Sequence, residues 1–174
     1  MKVFTLDEVI SYDPCYTDDE LIQAAGGRTS LTVWEVLDLR IPAEDRVWLA
    51  LRDGEHTIPA ARRIVDRMVR HHALHCRIKV VEQWAEAWLS GKDRSKASAL
   101  AAERAAGVKD RVEVAAVCSA GFWLIKKNPG RVSQAAAVAA ISSESVGRLS
   151  QREEVEYLQQ VEDIRAVVSE QEKE

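Results

Sequence analysis

The stretch LTVWEVLDLRIPAEDRVWLALR, residues 31–52, decides the fold of this chain. It contains two of the five tryptophans and two short amphipathic runs on either side of Pro42. Such short runs are stable only when their apolar faces are buried against other elements. Thr32 and Glu35 have the spacing of a capping box, in which a hydroxyl and a carboxylate satisfy the free amides of a first helical turn. The stretch therefore predicts two short helices, the second beginning at Pro42.

The composition of the whole chain favours helices. Its 174 residues include only four prolines and eight glycines, whereas alanine, leucine, valine, glutamate and arginine are abundant. The alternation of apolar and polar residues that is typical of strands is nearly absent. We therefore expect an all-α protein, a single-domain helical bundle of about eight or nine helices. Residues 1–30 are predicted to be an acidic segment of short helices that packs on the bundle of residues 31–174.

Local signals predict where several helices begin and end. Capping-box patterns start at Thr5 and Thr17, as they do at Thr32. The pair Gly26-Gly27 is predicted to end the second helix, because glycine readily adopts the left-handed conformation that follows a helix. The apolar periodicity is lost around residues 71–76, which predicts a break or kink there.

The end of the chain is predicted to be a long amphipathic helix. A turn at Asn128-Pro129-Gly130 precedes an Ala-rich helix from Val132, and Ser150 with Glu153 predicts the cap of the last helix. The apolar stripe of this helix is the clearest in the chain and consists of Val155, Leu158, Val161, Ile164, Val167 and Val168. A stripe of this kind can also pair with a second copy, so the sequence allows a homodimer through the C-terminal helix.

Charge is distributed unevenly along the chain, although the net charge is only −4. Residues 1–60 carry five Lys or Arg against twelve Asp or Glu, and residues 150–174 carry three against eight. Residues 61–149 carry sixteen basic against eight acidic side chains. Either the acidic ends fold against the basic middle, or the middle presents a basic face to an acidic partner.

The cysteines and the hydropathy indicate the compartment. Cys15, Cys76 and Cys118 are odd in number and far apart, so they predict no disulfide framework. The chain begins with no secretory signal and has no apolar run of membrane-spanning length. We therefore expect a soluble cytoplasmic protein without a membrane partner.

The candidate partner-binding residues form a basic helical face. Arg63, Arg67 and Arg70 share one face at helical spacing, and His71 and His75 follow them. Such a face can bind phosphates or an acidic protein surface. The alternative is that the arginines pair internally, with the acidic N-terminal segment or with the glutamate-rich last helix.

A metal site is the second candidate for the same region. In the phrase HHALHC, His71 and His75 are one helical turn apart, as are His72 and Cys76. A third and a fourth ligand are missing, so we expect no metal and keep a metal-binding enzyme at His71 and His75 as an alternative.

A helix-turn-helix is the third candidate. The phrase QAAAVAAISSESVGRLSQ, residues 134–151, has small residues before a predicted turn and apolar residues after it. In this interpretation Ser143, Ser145 and Arg148 contact DNA, and the protein is a transcriptional regulator. An Ala-rich packing helix with a kink explains the same residues.

Signs of catalysis are few. Neither a G-x-S-x-G nucleophile motif nor a glycine-rich phosphate loop is present. Cys118 lies among valine and alanine and is predicted to be an apolar core residue. We expect no enzymatic activity and no cofactor.

Three phrases of the sequence resemble a known group of proteins. They are LTVWEVLDLRIPAEDRVWLALRD (31–53), VVEQWAEAWLSGKDRSKASALAAERAAG (80–107) and REEVEYLQQVEDI (152–164). These phrases are similar to segments of uncharacterised Ala/Trp-rich helical proteins of bacteriophages and bacteria, some of them labelled immunity proteins from genome context. The resemblance implies a helical bundle of phage or mobile-element type, and it implies no catalytic residues.

Together these observations predict a non-enzymatic interaction protein. We expect it to bind and neutralise another macromolecule, a toxin, a nuclease or a host-defence component, while nucleic acid stays open as a partner. On this view, substitution of Trp34 or Trp48 costs stability, and substitution of Arg63, Arg67 or Arg70 costs partner binding.

Overall fold

The computed structural model describes residues 3–12, 16–52, 57–109, 111–142 and 149–173. These residues are 74% helical and 4% strand, and they form ten helices, eight of which have seven residues or more. The all-α class predicted from composition is therefore confirmed. Within the described ranges, none of the helices is long and apolar enough to cross a bilayer.

The helices follow one another with short connections. They are α1 (Leu6–Ser11), α2 (Asp18–Ala24), α3 (Val33–Leu37), α4 (Ala43–Ala50), α5 (Thr57–Met68), α6 (Lys79–Leu89), α7 (Lys96–Gly107), α8 (Val112–Ile125), α9 (Pro129–Ser142) and α10 (Leu149–Gln171).

A small antiparallel sheet, absent from the sequence prediction, joins the N-terminal segment to the stretch 31–52. Strand β1 (Val3–Thr5) pairs with β2 (Ser30–Thr32), and Phe4 lies opposite Leu31. Both of these apolar residues are buried. Each strand has only three residues, which is too short for an alternating pattern to be recognised in the sequence.

The capping boxes at Thr17 and Thr32 are confirmed. The Thr17 hydroxyl accepts a hydrogen bond from the Glu20 amide, and the Glu20 carboxylate accepts one from the Thr17 amide at 2.9 Å. Thr32 and Glu35 make the same exchange at the start of α3. The bonds from the threonine amides lower the pKa of both glutamates below the ordinary value. These helix starts are therefore fixed by contacts within four residues.

The predicted break near residues 71–76 is also confirmed. After Met68 the backbone of α5 widens into a π-helical turn, Val69–Ala73, and the Leu74 amide bonds to the Val69 carbonyl. Regular helix resumes at Lys79. Insertions of this kind re-aim the side chains of one turn relative to the rest of the helix.

Two predicted helix starts are wrong by two to three residues. Helix α9 begins at Pro129 rather than Val132, because proline suits the first helical position and the Asn128 side chain accepts a bond from the Arg131 amide. The described part of α10 runs from Leu149, so Ser150 lies within the helix instead of preceding it.

The interior consists of two apolar clusters. One lies among α5 to α9 around Trp84 and Trp88, and the alanines of α7 let α8 approach closely. The other contains the small sheet, α3, α4 and the C-terminal half of α10. Trp34 and Trp48 lie at the edge of the second cluster and are half-buried. The buried apolar residues described for α10 all belong to the second cluster.

Only the C-terminal part of the predicted stripe on α10 is buried. Val161, Ile164, Val167 and Val168 are in the core, whereas Val155 is 63% exposed and Leu158 is 43% exposed. The residues buried in their place near the start of the helix are Glu156, Tyr157, Gln160 and Asp163. The prediction of one continuous apolar face is therefore wrong for its first two turns, and most of the stripe is not free to pair with a second copy.

Candidate functional site: a basic groove beside helix α10

The candidate site is built on an ionic contact between α5 and α10. The Arg67 guanidinium donates to both oxygens of Glu156, at 2.7 and 3.0 Å. Its Nε donates to Asp163 at 2.8 Å. Because Glu156 and Asp163 lie seven residues apart on α10, both carboxylates point to the same side of that helix. The arginine therefore fixes α5 against α10 in one register.

The same cluster extends to α9 through neutral groups. Gln160, which is completely buried, donates from its amide nitrogen to Glu156 at 3.0 Å. Its amide oxygen accepts from the Ser133 hydroxyl at 2.6 Å. Every polar group of this buried cluster thus has a partner, which is the condition under which buried polar residues favour one packing arrangement.

The charges of the cluster are nearly balanced. Glu156 and Asp163 face Arg67, and Arg63 adds a second positive charge with its Nε at 3.8 Å from Asp163. Burial raises the pKa of Asp163, with Glu156 adding to the effect, although Arg67 opposes it. Burial opposes the charged form of Arg67, but the two carboxylates outweigh it and raise its pKa. Arg67 is consequently a structural cation.

Of the predicted partner-binding arginines, two pair inside the protein. Arg63 also donates to Glu170 at 3.0 Å, so both Arg63 and Arg67 face α10. This is the internal pairing with the last helix that the sequence left open as an alternative. Arg70 is exposed and has no carboxylate partner among the described residues.

Next to this cluster lies a groove of about 730 Å³, which we call the basic groove. It is bounded by the end of α5, the π-helical turn, α9 and the start of α10. Its lining residues are Arg67, Met68, Arg70, His71, His72, Ala140, Val155, Glu156 and Gln159. A cationic rim therefore meets an apolar floor in one concave surface.

The two adjacent histidines of the groove differ in environment. His71 is exposed, whereas His72 is partly buried and contacts the His71 ring edge-on at 4.6 Å between centroids. Burial, together with the charge of His71, lowers the pKa of His72 to about 4. His72 is therefore neutral near pH 7, and the positive charge of the groove that is not paired within the described structure comes from Arg70.

The metal interpretation assumed one regular helix through His71 and His75. The π-helical turn ends before His75, which lies outside the groove lining, and Cys76 is buried. Among the residues with described positions, no three His, Cys, Asp or Glu side chains are grouped so as to hold a metal ion.

A second, more polar groove of about 710 Å³ runs along α5 and α10. Arg62 lies in its wall with a buried Nη1 atom that has no hydrogen-bond partner in the described structure. Arg70 borders both grooves. Arg67 also lines both grooves but is paired with α10, so Arg70 is the shared cation that has no carboxylate partner among the described residues.

The remaining sequence candidates have different outcomes. Ser143, Ser145 and Arg148 lie outside the described residues, so the DNA-binding hypothesis stays a prediction. Cys118 is buried in the core, and burial raises the pKa of its thiol, which keeps it protonated.

Sequence reasoning did not find the acidic half of the site. Glu156, Gln160 and Asp163 repeat at helical spacing next to the apolar stripe, and this spacing matches that of Arg63, Arg67 and Arg70. Comparison of the two helical faces would have suggested that they face each other, although not which arginines pair.

Fold and site together define an all-α protein. Arg63 and Arg67 of α5 pair with the last helix, α10, whereas Arg70 in the following π-helical turn faces solvent. No protein-family model, curated protein or solved structure matches the chain.

Proposed function

We propose that this chain is a non-catalytic interaction protein that binds an acidic segment of a partner protein in the basic groove. The observation that carries the proposal is the contrast between Arg70 and its neighbours. Arg63 and Arg67 are neutralised by α10, whereas Arg70 and His71 are exposed beside the apolar Val155.

The groove combines two kinds of contact that a protein partner can satisfy. Arg70 can donate to carboxylates, and Ala140 and Val155 can cover an apolar side chain. An unpaired cation beside a half-exposed valine favours a segment in which an acidic residue is next to an aliphatic one.

The buried cluster beneath the groove supports tight binding. Arg67 and Glu156 line the groove and are held by the contacts with Asp163 and Gln160. A wall that is already ordered loses little conformational entropy when a partner binds.

We propose a toxin, a nuclease or a host-defence component as the partner class. The support is the resemblance to immunity-labelled helical proteins of phages and bacteria, together with the basic groove. A reducing cytoplasm is the proposed location, which the free thiols of Cys76 and Cys118 favour. A homodimer would have to use Val155 and Leu158, the two exposed residues of the α10 stripe.

The test is affinity capture from a bacterial lysate, followed by titration calorimetry with the captured protein. Arg70→Glu and Val155→Asp are expected to weaken binding about tenfold or more. Arg104→Glu is the matched control, because Arg104 is exposed on α7, which contributes no residue to the groove lining.

Thermal unfolding of all three variants shows whether any loss of binding reflects misfolding. Binding that is unaffected by both groove variants, or that is lost equally in the Arg104 control, would refute the proposal. If the captured species is DNA and its binding depends on Arg148, the regulator hypothesis replaces it.

A further inference from the structure

A second cationic surface lies at one end of the bundle, where α6 and α8 end and α7 and α9 begin. We name it the basic cap. Residues 90–96 and residues 122–131 contribute three cations each. The two segments together contain a single carboxylate, that of Asp93. The cations of the basic cap are Lys92, Arg94, Lys96, Lys126, Lys127 and Arg131.

Aromatic rings bring the two segments together. The Lys96 ammonium lies 5.5 Å from the centroid of the Phe122 ring, and Phe122 contacts Trp123 at 5.0 Å between centroids. The Arg131 guanidinium lies 5.9 Å from the Trp123 centroid. Two adjacent rings, with a cation against each, therefore connect the start of α7 to the start of α9.

Arg94, Lys96 and Arg131 contact aromatic rings rather than carboxylates. An aromatic face attracts a cation without neutralising it, and the N–H groups at the edge stay available to a ligand. None of the six has a carboxylate ion-pair partner within the described ranges. The carboxylate of Asp93 accepts a bond from the Ser95 amide at 2.8 Å, and this bond lowers its pKa.

Helix electrostatics account for only part of the basic cap. Lys126 and Lys127 follow the end of α8, where positive charge is favourable. Lys96 is the first residue of α7 and Arg131 is in the first turn of α9, where positive charge opposes the helix dipole. Neither of these first turns contains an acidic residue. The helix dipole therefore does not explain the charges at these two positions.

We propose that the basic cap binds the phosphate backbone of nucleic acid without sequence preference. Six uncompensated cations spread over four helix ends match a polymer with regularly repeated negative charges. A bilayer is disfavoured because the strongly exposed large apolar side chains of the described residues all lie outside residues 90–96 and 122–131. This surface is distinct from the basic groove, so the proposal does not depend on the proposed function.

The experiment is fluorescence anisotropy with a labelled single-stranded oligonucleotide and the corresponding duplex at several salt concentrations. The test variant is Lys96→Glu/Lys127→Glu/Arg131→Glu. The control is Arg40→Glu/Arg104→Glu/Lys109→Glu, which changes the net charge equally at exposed positions elsewhere. Circular dichroism checks that both triple variants are folded.

The wild type and the control are expected to bind both oligonucleotides, with affinity that falls steeply as salt rises. The test variant is expected to bind about tenfold or more weakly, and its salt dependence to decrease by about two to three released counterions. No binding by the folded wild type at low salt, or equal loss in both triple variants, would overturn the proposal. Binding to anionic vesicles without binding to oligonucleotides would assign the basic cap to a membrane surface instead. Arg70→Glu is expected to leave oligonucleotide binding unchanged, which separates this proposal from that for the basic groove.

Discussion

Arg67 on α5 and Glu156 on α10, which are 89 residues apart in the sequence, form a bidentate ion pair with N–O distances of 2.7 and 3.0 Å. Glu156 is buried, and Arg67 is the main cation that faces it. Removal of one member would leave a buried charge without compensation, which costs far more than the intact pair contributes.

We therefore expect Arg67→Met to lower the free energy of unfolding by about 3–5 kcal/mol, because Glu156 and Asp163 would lose their main partner. Arg63→Met should cost at most about 1 kcal/mol, since Arg63 and its partner Glu170 are 44% and 64% exposed, and the buried Asp163 keeps its closer contact with Arg67. Urea unfolding of both variants measures the difference. Equal decreases in the free energy of unfolding for the two variants would show that the buried cluster contributes no more to stability than the exposed ion pair. Arg67, which the sequence predicted to bind a partner, is therefore expected to stabilise the fold instead.

Gly121 is predicted to be intolerant of a methyl group. A Cβ at this position would lie 2.9 Å from Cζ2 of Trp84 and 3.4 Å from Cζ3 of Trp88. Overpacking costs about 1–3 kcal/mol, of which the helix propensity of alanine returns up to about 1 kcal/mol. Gly121→Ala should therefore destabilise the protein in thermal unfolding.

The control for that variant is Gly107→Ala at the end of α7. Among the described residues, no atom outside the neighbouring backbone of α7 lies within 4 Å of a Cβ built on Gly107. We expect this variant to keep or slightly raise the melting temperature. A stabilising effect at both glycines would contradict the tight contact between α6 and α8.

Trp88 and Trp84 should respond differently to phenylalanine. The Trp88 indole donates to Asp66 at 2.8 Å, whereas the buried Trp84 indole N–H has no partner among the described residues. Trp88→Phe is expected to cost about 1–3 kcal/mol more than Trp84→Phe, because it removes a hydrogen bond to a charged group. Denaturant titration of the pair tests this order, which a reversed ranking would disprove.

Stability is predicted to fall as the pH decreases from 6.5 to about 4, in part because of His72. Burial, assisted by His71 and Arg67 and opposed by Glu113, lowers the pKa of His72 across this range. The unfolded chain then binds a proton that the folded chain does not, so the stabilisation is complete above pH 6.5 and is lost toward pH 4.

His72→Gln should flatten this dependence by about 1–2 kcal/mol, a value reduced for solvent screening of a partly exposed ring. The raised pKa of Asp163 has the opposite effect, because it makes stability increase as the pH falls. The wild type and the His72 variant both contain Asp163, so its effect cancels when their pH profiles are compared. His75→Gln, at an exposed position, serves as the control. An unchanged pH profile in the His72 variant would contradict the assignment.

The candidate site was only half predictable from sequence. The spacing of Arg63, Arg67 and Arg70 placed them on one helical face, and the possible pairing with the last helix was recognised. Which of them pair depends on the distance between α5 and α10, and no local pattern encodes that distance. The exclusion of His75 from the groove follows from a π-helical turn whose end the sequence did not locate.

The sequence by itself determined the helical class and the starts of α2 and α3, because Thr17 and Thr32 form their capping boxes with residues three positions away. The tertiary structure decided which side of α10 is buried. Hydrophobicity favoured Val155, but Arg67 and Ser133 supply partners that make burial of Glu156 and Gln160 favourable. Local contacts can be read along the chain, whereas the free energy of burying a polar group depends on a partner that only folding brings within reach.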